Sequence, residues 1–228
     1  MSIKQLLAPE TIATLHSDFN GEIQLIKFAN TLRLEVGGLT QSGDIMVWIW
    51  SVAIKNLLPN NFSPENILIL GLGGGSALFW LRRRFPKSHL TAVEIDPVMI
   101  EIAQKYFHIG KIKDLTIVNQ DAVEFIKKIK QTLPAGRQEF SLILMDCYQG
   151  FLTPTGFDEV NVLMKMKRIG GNVLLNRLYW DEHKIATDDF VAKIGHHFQI
   201  KSIYTASNLI ISLALPSSRA KRGDPKGL

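Results

Sequence analysis

A chain of 228 residues with 46% apolar and 21% charged content is long enough for one well-filled core, or a core with a small appendage, and should be globular. Its formal charge of +5 does not argue for nucleic acid: residues 217–228 hold +3 of it, through Arg219, Lys221, Arg222 and Lys226 against Asp224, which leaves +2 for the body. Cys147 is the only cysteine, which excludes an internal disulfide and fits a reducing, cytoplasmic compartment.

The first fifteen residues read as a short helix broken by Pro9, with no apolar segment behind a basic start that would make a signal peptide. Strand-like runs at 21–27 and 31–36, joined by Phe28-Ala29-Asn30, predict a β-hairpin. An exposed hairpin edge leaves room for a homodimer. After Gly37-Gly38, Leu39-Thr40-Gln41-Ser42-Gly43 reads as a turn, and residues 46–58 read as a helix, apolar almost all round and therefore buried. The apolar run 45–54 is about half of the roughly 20 residues a bilayer-spanning helix needs, so no membrane association is expected. Trp48 and Trp50 are core residues by type, and both are also candidate walls of a ligand pocket, with Trp50 taken as the substrate residue.

The centre of the chain is more informative. Ile67 to Leu70 form an unbroken apolar run that ends at Gly71-Leu72-Gly73-Gly74-Gly75, and Ala77, Leu78, Trp80 and Leu81 then recur at helical spacing. Strand, glycine turn and helix in this order let backbone amides approach a ligand closely. Residues 89–95 form the next strand, and Glu94 near its end is placed to accept hydrogen bonds from the two hydroxyls of a ribose. Pro97 opens a helix with Val98, Ile102, Ala103 and Tyr106 on one face. A third strand at 115–119 ends at Gln120-Asp121-Ala122, and a helix follows over 122–130.

Residues 132–139 read as an inserted polar loop, and 140–146 as a fourth strand, continuously apolar and so buried on both faces, ending in Asp146. A helix at 156–167, a turn at Gly170-Gly171, a fifth strand at 172–176, a helix at 181–196 and an antiparallel pair at 198–204 and 208–215 complete the pattern. The basic residues after 216 read as a solvated, disordered tail. Alternating strands and helices imply an α/β fold with a mostly parallel sheet covered on both faces. Ligands bind such sheets outside the carboxyl ends of the strands, where Gly71, Gly73, Gly75, Glu94, Asp121 and Asp146 all fall. Asp121 is equally a natural helix N-cap. The expected division is a small N-terminal β/helical element (1–58), a nucleoside-binding domain (59–216) and the tail (217–228).

The segments GLGGGSA at 71–77, VEIDP at 93–97, NQDAVEF at 119–125 and LILMDCYQG at 142–150, in this order and spacing, resemble the spermidine synthase family of polyamine aminopropyltransferases, a branch of the class I S-adenosylmethionine-dependent methyltransferase fold. The likeness runs from about residue 20 to 215. It implies a Rossmann-like, seven-stranded sheet with a small N-terminal β-hairpin element, a role in polyamine biosynthesis, and S-adenosylmethionine or its decarboxylated form as co-substrate. By position it gives Gln41 and the glycine turn a place around the sulfonium nucleoside, Glu94 the ribose, Asp121 with Ala122 the adenine, and Asp146 the nucleophile. Two positions depart from the family pattern: Gly74 stands where an aspartate is usual, and Gln149 stands where a second acid is usual. Those acids are expected to hold ammonium groups, so the sequence leans toward a donor that keeps its carboxylate.

An alkyl amine with a pKa of about 10 must lose a proton before it attacks carbon, and a buried carboxylate within reach can hold the ammonium and accept that proton. Asp146 is the candidate catalytic residue, with a loop or N-cap carboxylate as its structural alternative. Tyr148, Gln149, Phe151, Tyr179 and Trp180 fall in the loops where a small amine acceptor would sit. His196-His197 and Cys147 lack partners at metal-ligand spacing, so no metal is expected. Two other classes stay open. A dinucleotide-dependent oxidoreductase is suggested by the near match of residues 71–76 to G-x-G-x-x-G/A, and a non-catalytic nucleoside-binding module by the missing acids.

Overall fold

The computed structural model describes residues 8–29, 31–129 and 138–216, so most of the expected inserted loop and the whole basic tail lie outside the described residues. The chain first builds a four-stranded antiparallel sheet from β1 (Glu10–Ser17), β2 (Gly21–Phe28), β3 (Thr31–Val36) and β4 (Leu39–Ser42), in that order. Two expectations are corrected here. The supposed N-terminal helix is a strand over its described part, because Thr11, Ile12 and Thr14 favour an extended chain, and Thr11, Ala13 and Thr14 pair with β2 around an irregularity at Ile12. The Gln41 turn is strand β4, whose pairing with β3 extends the expected hairpin into a sheet.

Helix α1 (Asp44–Leu57) follows. It is amphipathic rather than buried all round: Ile49, Trp50, Ala53 and Ile54 face inward, while Ile45 and Trp48 are exposed. Then come β5 (Asn66–Leu70), α2 (Ser76–Arg84), β6 (His89–Glu94), α3 (Pro97–Lys105), β7 (Leu115–Asn119), α4 (Ala122–Lys128), β8 (Phe140–Met145), α5 (Val160–Ile169), β9 (Gly170–Leu178), α6 (Asp181–Gly195), β10 (Gln199–Thr205) and β11 (Asn208–Ala214). The expected turn at Gly170-Gly171 is absent. Strand β9 begins at Gly170, directly after α5, and pairs there with Phe140.

The large sheet has seven strands in the order β10-β11-β9-β8-β5-β6-β7. Its five central and edge strands from β9 to β7 run parallel, and β11 and β10 close it antiparallel. Strand β5 shows why both faces must be covered. Ile67 and Ile69 enter one core with α1 and α2, and Leu68 and Leu70 enter the other with α4, α5 and α6. After β5 the chain moves outward to β6 and β7, then returns to β8 on the other side, which makes the gap between β5 and β8 the switch point where such sheets bind ligands.

The small sheet has its own core, Ile23, Leu25, Leu34 and Val36, which is completed by Met99 and Ile102 of α3. Helix α1, by contrast, belongs by packing to the large sheet. Among the described residues no helix is long and apolar enough to cross a membrane.

Candidate active site

The glycine turn sits where β5 stops, and steric contact explains its composition. Gly71 has φ 90°, and a Cβ there would collide with the Asp146 carbonyl; Gly73 has φ 52°, and a Cβ would collide with the Gln41 carbonyl. These two glycines therefore let the turn lie flush against the end of β8 and against β4. Gly74 and Gly75 are set by packing. A Cβ on Gly74 would stand 2.6 Å from Ser42 Oγ and 2.9 Å from a ring carbon of Phe107, and one on Gly75 would stand 2.6 Å from Ile109. Ser42 and Ser76 are hydrogen-bonded to each other through their hydroxyls, and Ser76 Oγ also accepts from the Gly43 amide at 3.0 Å. Strand β4 is thereby pinned to the start of α2.

Glu94, 9% exposed, ends β6 with both oxygens engaged: Oε2 accepts from the Leu72 amide at 2.9 Å and Oε1 from the Asp96 amide at 3.0 Å. Burial pushes its carboxyl above the usual range, and the two amides oppose the shift. Asp96 is fully buried, caps α3 through Val98, and accepts from Ser17 Oγ at 2.5 Å and Asn20 Nδ2 at 2.6 Å on its other oxygen. This clasp fixes the β1–β2 turn over the strand ends. Gln149 Nε2 fastens the same turn from the opposite side by donating to the Phe19 carbonyl at 3.1 Å.

Beneath that turn lies a cavity lined by Gly71, Gly73, Glu94, Asp121, Ala122 and Asp146, with Phe19, Asn20, Cys147 and Gln149 closing it. The lining includes three carboxylates and no lysine, arginine or histidine, so the cavity suits a cation. Asp121 caps α4 by accepting from the Glu124 amide at 2.7 Å. It holds both places the sequence offered it, the helix start and the cavity wall. The Cys147 thiol is pushed well up by burial, then by the charges of Glu94, Asp146 and Asp121, so it stays neutral.

Asp146 joins this cavity to a second one. Its Oδ2 accepts from Trp50 Nε1 at 3.0 Å and its Oδ1 from Asn176 Nδ2 at 2.8 Å, while Asn176 Oδ1 accepts from Asn208 Nδ2 at 2.9 Å. Burial raises the Asp146 carboxyl above the usual range, and the Trp50 and Asn176 bonds hold it back. The second cavity lies toward β9 and β11 and is lined by Asn176, Asn208, Leu178, Phe151 and Trp180, among others. Gln41, Asp146 and Tyr148 line both cavities. Gln41 Nε2 is buried there with no hydrogen-bond partner, a donor left for something that enters.

Four sequence-derived assignments change. Gln149, expected beside the acceptor, lines the first cavity and not the second. Tyr179 lines neither cavity; its hydroxyl donates to Asp188 at 2.9 Å and its ring packs edge-on against Tyr204, because it follows the last inward residue of β9 and faces α6 and β10. Trp50 lines neither cavity and acts through its indole N–H on Asp146. Gly75 is outside the lining and accommodates Ile109. The sequence reading missed Asn20, Asn176 and Asn208. An asparagine inside the apolar run VLLNRL was the available signal for Asn176, since a buried amide needs partners. Among the described residues no cluster of His, Cys, Asp or Glu side chains forms a metal site.

Comparisons with known proteins place this arrangement. Among curated proteins, the polyamine aminopropyltransferase of Vibrio vulnificus (strain CMCP6) is 32% identical over 180 residues, 74% of this chain and 57% of that protein. The eEF1A lysine and N-terminal methyltransferase homolog of Drosophila melanogaster is 29% identical over 54% of this chain and 19% of its own length. The chain thus spans little more than half of the first relative and a fifth of the second. Among solved structures, human methyltransferase-like protein 13 in complex with SAH superposes with TM-score 0.58 at 26% identity, covering 68% of this chain and 74% of that one. Spermidine synthase from Thermotoga maritima, at 16% identity, shares the fold with TM-score 0.69 over 90% of this chain and 72% of its own. The spermine/spermidine synthase domain matches residues 53–169, from within α1 to the end of α5, which takes in the glycine turn, Glu94, Asp121 and Asp146; the chain belongs to the spermine/spermidine synthase family.

Proposed function

We propose that the protein is a transferase that binds a sulfonium nucleoside of the S-adenosylmethionine class beneath the glycine turn and alkylates a small amine held at Asp146. The observation that carries this reading is that two cavities meet at one carboxylate, with Gln41, Asp146 and Tyr148 common to both. The residues fit such a donor: Gly71 and Gly73 border the cavity without side chains, Gln41 Nε2 is an orphaned buried donor, and three carboxylates line the wall. The same carboxylates oppose the pyrophosphate of a dinucleotide, which counts against the oxidoreductase alternative.

A bound sulfonium donor supplies an electrophilic carbon attached to a good leaving group, a neutral thioether. The chain's own residues do the rest. Asp146 holds the incoming ammonium, takes its proton and frees the lone pair, while Trp50 and Asn176 fix the carboxylate's direction. Glu94 grips the ribose edge and keeps the turn closed through Leu72, and Asp121 with Ala122 borders the base. In this division, residues 59–216 bind the nucleoside and residues up to 58 supply its roof and Trp50.

For the donor we favour S-adenosylmethionine over its decarboxylated form, because Gly74 is walled by Ser42 and Phe107 and no acid faces the cavity from that position. A cytoplasmic setting is the reading that the single, unpaired Cys147 supports. Calorimetry with S-adenosylmethionine, decarboxylated S-adenosylmethionine and methylthioadenosine tests the donor assignment. All three should bind wild type, the first more tightly than the second, and Glu94→Gln should weaken all three. A chain that binds none of them would sink the proposal.

A further inference from the structure

The cavity beyond Asp146 has a lining of its own, and that lining sets the kind of amine that fits. We infer that it is built for an acceptor with a single amino group on an uncharged, apolar or aromatic body, and that it discriminates against diamines. The inference rests on the transferase reading above.

Three observations carry it. First, among the described residues Asp146 is the only carboxylate in the lining of that cavity. The acids nearest in sequence, Asp44 beside Ile45 and Asp181 beside Trp180, are not part of the wall. Second, Asp146 does not stand next to a second charged group but at the end of a neutral ladder, Asn208 to Asn176 to Asp146. Amides in those places hold the carboxylate's orientation and leave its charge as the one available to a cation. Third, the remaining surface carries no charge: Thr40, Gln41, Tyr148 and Ser207 add neutral polar groups, and the rest is apolar and aromatic. Phe151 and Trp180 meet edge to face with centroids 5.9 Å apart, His183 braces Trp180 at 4.6 Å from outside, and Leu178, Ile49 and Met46 fill in between. An ammonium group set against such a wall gives up water without gaining a charged partner, whereas a hydrocarbon or aromatic ring gains by leaving water. One charge at the reacting end and none at the far end is therefore the pattern the cavity rewards.

The test uses the whole chain saturated with S-adenosylhomocysteine and measures amine binding by calorimetry. The probes are butylamine and benzylamine against 1,4-diaminobutane, the first and last of which differ by one ammonium group. Both monoamines should bind about tenfold more tightly than the diamine. Ile45→Asp, a change at an exposed position on the cavity rim, should tighten the diamine by about fivefold relative to butylamine. Diamine binding equal to or tighter than the monoamines in wild type would overturn the inference, as would binding of S-adenosylhomocysteine with no amine binding at all. Failure to bind S-adenosylhomocysteine is a separate outcome and overturns the donor assignment on which the inference rests.

Discussion

Asp146 is a carboxylate held in two directions. Burial raises its pKa while the Trp50 indole and the Asn176 amide lower it. Activity that needs the anion should therefore fall, as pH drops, at a value above the usual carboxylate range. Trp50→Phe removes one of the groups that favour the anion, so the acid limb of the kcat/KM profile should move to still higher pH, and stability should fall by about 1–3 kcal/mol at neutral pH. The sign for stability is opposite to that for activity: an acid whose pKa rises on folding binds its proton more tightly when folded, so protonation stabilises as pH falls through the raised value. Asp146→Asn should flatten that part of the urea-midpoint profile. At Gly74 steric contact decides. A side chain there meets Ser42 and Phe107, so Gly74→Asp should cost about 1–3 kcal/mol by overpacking rather than create an ammonium site. Thermal melts beside calorimetry with the decarboxylated donor check this, and tighter binding of that donor without loss of stability would contradict it.

At the scale of elements, the β1–β2 turn is held over the proposed nucleoside cavity by Ser17 and Asn20 on Asp96, and Asp96 is linked through its own amide to Glu94. Replacing both Ser17 and Asn20 by alanine should raise the donor KM about tenfold with little change in kcat, since the change removes the roof and not the reacting groups. Equal losses in both constants would point to general misfolding instead. None of this clasp was legible in the sequence, because residues 17 and 96 are brought together only by the docking of one sheet on a helix of the other. The parallel strands β5 and β8 were legible for the opposite reason: burial on both faces writes them as continuous apolar runs ended by Gly71 and Asp146. Strand β1 was misread because Ala13 and Leu15 are the only apolar residues of it that pack inward, too weak an alternation to outweigh the expectation of a helix. Strand β4 was too short to register as anything but a turn. Glu94 and Asp121 were legible because their places at strand ends follow from chain order alone, whereas the Trp50–Asp146 bond spans a separation of 96 residues and has no local signature.

For the whole molecule, the two sheets are not independent bodies. Met99 and Ile102 lie on α3, a helix covering the large sheet, and both complete the core of the small one. Ile102→Ala should destabilise by about 2–5 kcal/mol and speed amide exchange in β2 and β3 as well as in α3, within a single unfolding transition. Exchange that quickens in α3 alone would show that the sheets open separately. The bond from Gln149 to the Phe19 carbonyl carries a last consequence. It runs like a strap from the loop after β8 to the far lip of the first cavity, so that under the proposed function a spent nucleoside leaving by that side passes this bond. Gln149→Ala should ease that exit, and a weaker dependence of kcat on solvent viscosity in the variant than in wild type is the measurement that checks it.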